Sequence, residues 1–514
     1  MVENILAALP ILFSVKAILF VGLGLIIGFI FGALPGLSSS NAAALVLPMT
    51  IGMDLDVALI FFAGIYCGAQ YGGSVPAILV NTPGTPGAAA TSLDGYQMTL
   101  RGEAARAIGI SRMASMLGGV VSGVIVLLIV GPISTIALKF GPAELFLVAF
   151  LGLTLISTTV SDDTRKSMLS AALGFLIAAM SGDPYYGAPR LTFGFMALYE
   201  GLPFVPVLVG LFAVTEMFFL CRKESLVSDT GSRVSATLIE ILGIKGAFDG
   251  IVDTVKRPFL ILSATVVGLV LGITPGIGTA VANFVSYGLA KGFSKKPEQF
   301  GKGIPEGIIA SEACDNAVCG GAMVPSFTLG LPGSTMTAIM LSAFYLHGVL
   351  PGPQVMVKQA PMVYSVLLSI ILSSILILPL GIVLSAPLLY IVYIKPKYLV
   401  PIILFLCTAG VYSISNSMFN VFVMFIFGFV GLLMRINHIP APPLVIALIL
   451  GPIAEQNFVR AYLLADGDLT YFFSSFISII LWVIIIAAVL FKPLMKVFRG
   501  VSKRKGNPQG LPGG

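Results

Sequence analysis

The chain reads as an all-α polytopic membrane protein, with about 12 transmembrane and re-entrant helices arranged in two inverted-topology repeats. Three observations predict this. First, 57% of the 514 residues are hydrophobic and 10% charged, whereas a soluble domain carries roughly 25% charged residues. Second, the stretches 361–394, 398–434 and 469–491 hold no charge at all. Third, the helix-breaking motif Gly28-x3-Gly32-x2-Pro35-Gly36 recurs 240 residues on as Gly268-x3-Gly272-x2-Pro275-Gly276.

A span takes about 20 apolar residues, so 361–394 and 398–434 are each expected to hold more than one crossing, or a crossing plus a re-entrant piece. A β-barrel would instead alternate polar and apolar residues in short segments. The N-terminus opens on Glu3 and its apolar run continues past Lys16, unlike a cleaved signal peptide. Cys67, Cys221, Cys314, Cys319 and Cys407 fall in or beside apolar segments. They are expected to pack rather than to form disulfides. His347 and His438 are too few and too scattered for a metal site. The pI near 9.0 reflects basic cytoplasmic loops rather than nucleic-acid binding.

Charge sets the topology. The polar stretch 221–257 carries Arg222, Lys223, Arg233, Lys245, Lys256 and Arg257. The tail carries Lys492, Lys496, Arg499, Lys503, Arg504 and Lys505. Both are expected to be cytoplasmic. After its Pro-Gly break the first half reaches a loop with Asp54 and Asp56, whereas the second half reaches Lys291, Lys295, Lys296 and Lys302. After a second break the bias swaps: Arg101, Arg106 and Arg112 in the first half, Lys358 alone in the second. Equivalent loops of opposite bias lie on opposite sides, which inverts the repeats and puts the N-terminus outside. The competing arrangement, two parallel repeats, would place the Asp54 and Lys291–Lys302 loops on one side. The expected division is 1–220 as first repeat, 221–257 as cytoplasmic linker, 258–468 as second repeat, and 469–514 as last span and basic tail.

The second breaks are Asn81-Thr-Pro-Gly-Thr-Pro-Gly87 and Thr328-Leu-Gly-Leu-Pro-Gly-Ser-Thr335. Such runs cannot continue a helix. At membrane depth they persist only where buried in protein or lining a wet cavity. A re-entrant tip presents backbone N–H groups and helix N-termini, which attract anions. Asn81, Thr82, Gly84, Thr85, Gly87, Thr328, Gly330, Gly333, Ser334 and Thr335 are therefore the expected substrate contacts. Gly36, Ser38, Asn41, Gly276, Thr279, Asn283, Glu312, Asp315 and Asn316 are the expected cation-coupling groups. No arginine lies in the tips, so dipoles and coupled cations would hold an anion. Gly24-x3-Gly28-x3-Gly32 and Gly118-Gly119 also read as packing faces.

Glu312 and Asp315 are spaced i, i+3 on one expected helix face. Intramembrane carboxylates are candidate proton or cation sites; the alternative is a solvated first turn at the water interface. Glu144, Glu200, Glu216 and Glu306 are expected to flank spans. The chain has no phosphate loop of the G-x4-GK[ST] type and no Ser-His or Cys-His arrangement, so it is not expected to be an enzyme.

At the repeat-bearing segments the chain resembles the large membrane subunit of the tripartite tricarboxylate transporters, the TctA family. The match is carried by Gly32-Ala-Leu-Pro-Gly36, Asn81-Thr-Pro-Gly-Thr-Pro-Gly-Ala-Ala-Ala-Thr91 with Asp94-Gly95-Tyr96, Pro305-Glu306-Gly307 and Gly330-Leu-Pro-Gly-Ser334. It runs from about residue 15 to 490, the Asn81–Tyr96 string being its specific part. One departure is that Asp315 stands where the family typically has a first asparagine of an Asn-Asn pair. The resemblance implies a bacterial inner-membrane permease for small carboxylates, working with a small four-helix membrane subunit and a periplasmic solute-binding protein. It implies an ion gradient, Na⁺ or H⁺, as the driving force, with Na⁺ as coupling ion the only metal and no other cofactor. The function expected is alternating-access uptake of di- or tricarboxylates, with the substrate near the bilayer midplane between the two second breaks. The alternatives are an uncoupled channel-like carboxylate pore and an intramembrane enzyme.

Overall fold

The computed structural model describes residues 1–159, 163–182, 188–199, 201–225, 244–275, 278–391 and 393–489. The Val15–Ala33 helix begins at Ser14, whose hydroxyl accepts from Ala17 N–H. It stops because Pro35 cannot continue it and Gly36 turns the chain at φ 95°. It lies parallel to the Leu55–Val80 helix at a separation only glycine permits. A Cβ on Gly24 would stand 2.5 Å from the Phe61 carbonyl oxygen, and one on Gly28 2.5 Å from that of Ile65. One on Gly32 would strike the Ala69 carbonyl. The expected glycine packing face is thus real, and Gly118 likewise abuts the Ala313 carbonyl.

The second half repeats this construction in register. Gly268 lies against the Cys314 carbonyl, and a Cβ on Gly272 would stand 2.8 Å from that of Val318. These pairs are Gly28–Ile65 and Gly32–Ala69 carried forward by the spacing of Pro35 to Pro275 on one helix and of Pro76 to Pro325 on the other. The long helices Leu55–Val80 and Pro305–Leu329 each carry that proline one turn before the end. Each ends in a left-handed residue, Asn81 (φ 52°) or Gly330 (φ 71°), whose N–H bonds the proline's carbonyl. The next amide follows: Thr82 N–H to Pro76 O at 3.2 Å, Leu331 N–H to Pro325 O at 3.1 Å. The two amides that follow each helix end thus share one carbonyl of its last turn, so the broken ends keep their donors paired.

Equivalent helices of the two halves meet antiparallel. Ser74 reaches Glu312 while Cys67 adjoins Cys319, so contacts descend on one long helix as they ascend on the other. The Ala104–Ala137 and Ala360–Ile391 helices behave alike: Gly119 faces Ser374, Gly123 faces Ile371 and Gly131 faces Tyr364.

Among the described residues, seven helices are long and apolar enough to cross a membrane. An eighth results if Lys245–Val255 and Pro258–Ile273, bent by 77°, count as one. Shorter apolar helices run over Val2–Leu12, Pro142–Leu155, Phe204–Leu220, Thr335–Leu346 and Phe476–Val489. The only extended pairing among the described residues joins Ser181–Gly182 to Pro189–Arg190. This is an all-α polytopic membrane protein.

Two expectations change. The stretch 361–394 holds one helix, Ala360–Ile391, because Pro379 and Pro387 are absorbed inside it. Arg112 is no loop residue but sits buried within Ala104–Ala137. The linker residues 226–243 with Arg233, the tail cations from Lys492 on, Glu200 and Gly276 lie outside the described residues.

Gly32→Ala should destabilise the folded protein by about 1–3 kcal/mol, the usual cost of overpacking. The loss should appear as a lower thermal midpoint in detergent, whereas Gly22→Ala, where an added Cβ meets nothing within 4 Å, should leave the midpoint unchanged.

Candidate ion and substrate site

The first half's second break is locked in place by backbone. Gly84 N–H donates to Gly73 O at 3.1 Å, and a Cβ on Gly84 would run into the Gly32 carbonyl. Glycine is therefore obligatory there, as at Gly333, where a Cβ would stand 2.8 Å from Ala322 Cα. The chain then enters the Ala88–Leu100 helix at Gly87. A Cβ on Gly87 would lie 2.5 Å from Asp315 Oδ1 and 2.8 Å from Asn283 Nδ2. Residues from the second break of one half and from the Gly278–Phe293 and Pro305–Leu329 helices of the other thus converge.

The two carboxylates have opposite surroundings, although both are fully buried. Glu312 accepts from four hydroxyls: Ser74 at 2.5 Å, Ser115 at 2.8 Å, Ser111 at 3.0 Å, and Thr91. Its two oxygens are saturated. Neither oxygen of Asp315 has a hydrogen-bond partner among the described residues. The same holds for both polar side-chain atoms of Asn283 and of Asn316, and for Thr85 Oγ1. Spaced i, i+3, Glu312 and Asp315 nonetheless face different neighbours. The solvated-interface alternative falls for both, since each is enclosed by helices. Asn316 points away from Asp315, toward Gly119.

The second half's break is more closed. Ser334 caps the Thr335–Leu346 helix in a reciprocal pair with Thr337 and accepts from Tyr66 Oη at 3.2 Å. Thr328 donates back to Val324 O at 2.7 Å within its own helix, so its hydroxyl is spent locally. Gly330 is the left-handed turn, Thr335 is half-buried, and Asn81, the matching turn residue, is exposed.

The first break forms a separate cluster. Ser38 Oγ donates to Asn41 Oδ1 at 2.6 Å, and Asn41 Nδ2 donates to Phe212 O at 2.9 Å. A Cβ on Gly36 would stand 2.7 Å from Glu216 Oε1. Glu216, expected to flank a span, is instead buried and paired with Arg435. Asn41, Glu216, Arg435 and His438 line a cavity of about 450 Å³. Thr279 is half-buried at the start of Gly278–Phe293.

Sequence reasoning missed three contributions. The hydroxyls of Ser74, Thr91, Ser111 and Ser115 are single small residues in apolar helices, and their common target becomes visible only in three dimensions. Asp94 accepts from Gly301, Gly303 and Ile304 N–H at 2.8–3.0 Å and from Tyr287 Oη at 2.8 Å. It thereby ties the first half to the start of Pro305–Leu329. Arg112 donates to Gly381 O and Ser385 Oγ, both at 3.1 Å, with no carboxylate partner among the described residues. Among the same residues no cluster of His, Cys, Asp or Glu could hold a metal by itself.

Comparison with known proteins places this geometry. The model of the tripartite tricarboxylate transporter TctA family matches residues 18–446. A protein of Agrobacterium vitis described as an uncharacterized 52.8 kDa protein in the TAR-I ttuC' 3' region is 34% identical over 468 residues, covering 91% of each chain. An uncharacterized protein in the TAR-II ttuC' 3' region of the same organism is 34% identical over 206 residues, 40% of this chain and 85% of its own length. No solved structure matches. The chain belongs to the TctA family, the membrane component of tripartite tricarboxylate transport.

Proposed function

We propose that this protein is the translocating subunit of a binding-protein-dependent carboxylate importer in the bacterial inner membrane. It takes small organic di- or tricarboxylates from a periplasmic solute-binding protein, alongside a small four-helix membrane subunit. Uptake runs on a Na⁺ or H⁺ gradient by alternating access between two inverted repeats, 1–220 and 258–468, with the N-terminus periplasmic and the C-terminus cytoplasmic. Family membership supports the transport class and the carboxylate class.

One observation carries the mechanism: each half's second break is seated on the long helix of the other half, Ser334 on Tyr66 and Gly87 on Asp315. Irregular chain and the helix N-termini that follow it are thereby held inside the bundle, where their dipoles can meet an anion. Because the contacts are reciprocal, shifting one half against the other alters both breaks together. The antiparallel meeting of equivalent helices supports the inverted arrangement.

In proteoliposomes with both partner subunits, an imposed inward Na⁺ or H⁺ gradient should accumulate labelled carboxylate above the external concentration. Equilibration without accumulation would instead mean a passive pore, and chemical conversion of the label an enzyme. Thr335→Ala and Asn81→Gly, the latter keeping the left-handed turn, should each lower uptake about tenfold, the equivalent of one lost hydrogen bond of ~1.4 kcal/mol, at unchanged amounts of folded protein. Wild-type uptake in both would remove the tips from the substrate path.

A further inference from the structure

The register that relates the two halves carries Pro76 onto Pro325 and Gly84 onto Gly333. Followed one step further, it carries Tyr66 onto Asp315 and Thr85 onto Ser334. These four residues form two equivalent crossings, each between one half's long helix and the other half's second break. At one crossing Tyr66 Oη reaches Ser334 Oγ directly, at 3.2 Å. At the other, aspartate replaces tyrosine and is too short to make the same reach. There, among the described residues, Asp315 has no hydrogen-bond partner on either oxygen and Thr85 Oγ1 has none. Asn283, beside Asp315 at Gly87, is among the same residues without one on either polar atom.

We propose that Asp315, Asn283 and Thr85 ligate one dehydrated monovalent cation of the Na⁺ class, and that the Tyr66–Ser334 contact closes the equivalent position in the other half. The protein would then carry a single such site. This rests on the ion-coupled reading above and names the coupling ion and its ligands.

The chemistry selects among occupants. A fully buried carboxylate without a partner must be neutralised, because an isolated ion there is prohibitively costly. A proton would neutralise Asp315 and let it pair reciprocally with the Asn283 amide, but would leave the Thr85 hydroxyl unmatched. A hard cation answers all three oxygens at once, since carboxylate, carbonyl and hydroxyl oxygens are the ligands such ions take. One carboxylate balances one positive charge, which disfavours a divalent ion in so buried a place. Glu312 is excluded as a ligand although it is only three residues away, because four hydroxyl donors already occupy its oxygens. Its cage instead braces the three helices that carry Ser74, Thr91, Ser111 and Ser115 against the Pro305–Leu329 helix. The helix start at Gly87 presents the positive end of a helix dipole, which the full charge of the Asp315 carboxylate has to outweigh.

Direct binding tests this without transport. Purified full-length protein in detergent is dialysed against ²²Na⁺, and its thermal midpoint is followed as NaCl replaces choline chloride at constant ionic strength. The expected result is saturable binding of one Na⁺ per chain with a matching rise in midpoint. Asp315→Asn should weaken binding by at least about tenfold, and Thr85→Val or Asn283→Ala should weaken it in the same direction should the first variant not fold. Tyr66→Phe, which opens the twin crossing without supplying a carboxylate, should keep one Na⁺ per chain. The proposal is overturned by absence of ²²Na⁺ binding, by a midpoint that follows pH but not Na⁺, by two ions per chain, or by full binding in the three ligand variants. Carboxylate accumulation by the reconstituted system is scored separately, so that a proton-driven importer would sink the cation site while leaving the transport function intact.

Discussion

Backbone amides in the middle of a membrane have no water to turn to, and the rest of this structure depends on that constraint. A chain that must be irregular there has to recover every donor and acceptor from protein. It does so by bringing helices to backbone contact. Gly28 and Gly32 bring Val15–Ala33 onto Leu55–Val80, and Gly84 then seats the break over the Gly32 carbonyl while donating to Gly73. The left-handed residues Asn81 and Gly330 return their amides to the prolines one turn back. Glycine therefore serves two purposes at once: it permits the packing, and the packing supports the breaks.

On that scaffold the buried polar groups divide into satisfied and unsatisfied sets. Glu312, Asp94 and Arg112 are anchored by donors or acceptors from distant segments, and each ties helices together. Asp315 and Asn283, which meet at Gly87, and Thr85 two residues before it are left open among the described residues. A buried group without a partner destabilises the fold, so its persistence beside a helix break points to a ligand that completes it. The shared register of the two crossings sharpens this, because the equivalent one at Tyr66 and Ser334 is complete without a ligand.

Much of the framework was legible in the sequence. Prolines beside glycines mark where helices stop, and a stop that recurs in both halves marks the repeat; spacing of four between Gly24, Gly28 and Gly32 shows a packing face directly. Other features were not legible because they depend on contacts between remote residues. The hydroxyls around Glu312 come from segments 197 to 238 residues away. Arg112 resembled a loop cation because it follows Arg101 and Arg106, yet a carbonyl and a serine hydroxyl hold it inside the bundle. Glu216 resembled a flanking charge until Gly36 and Arg435 were seen beside it. Helix spacing placed Glu312 and Asp315 on one face but could not reveal that one is saturated and the other bare.

The central claim is that two structurally matched halves are inserted in opposite senses, so that their breaks cross in the middle. Single cysteines at Asp54 and at Lys296, in a background where exposed Cys221 is replaced by serine, test it most directly through labelling by a membrane-impermeant maleimide. The account predicts that the position-54 cysteine reacts in intact cells from the periplasmic side, while the position-296 cysteine reacts only in inside-out vesicles. Labelling of both from the same side would contradict it.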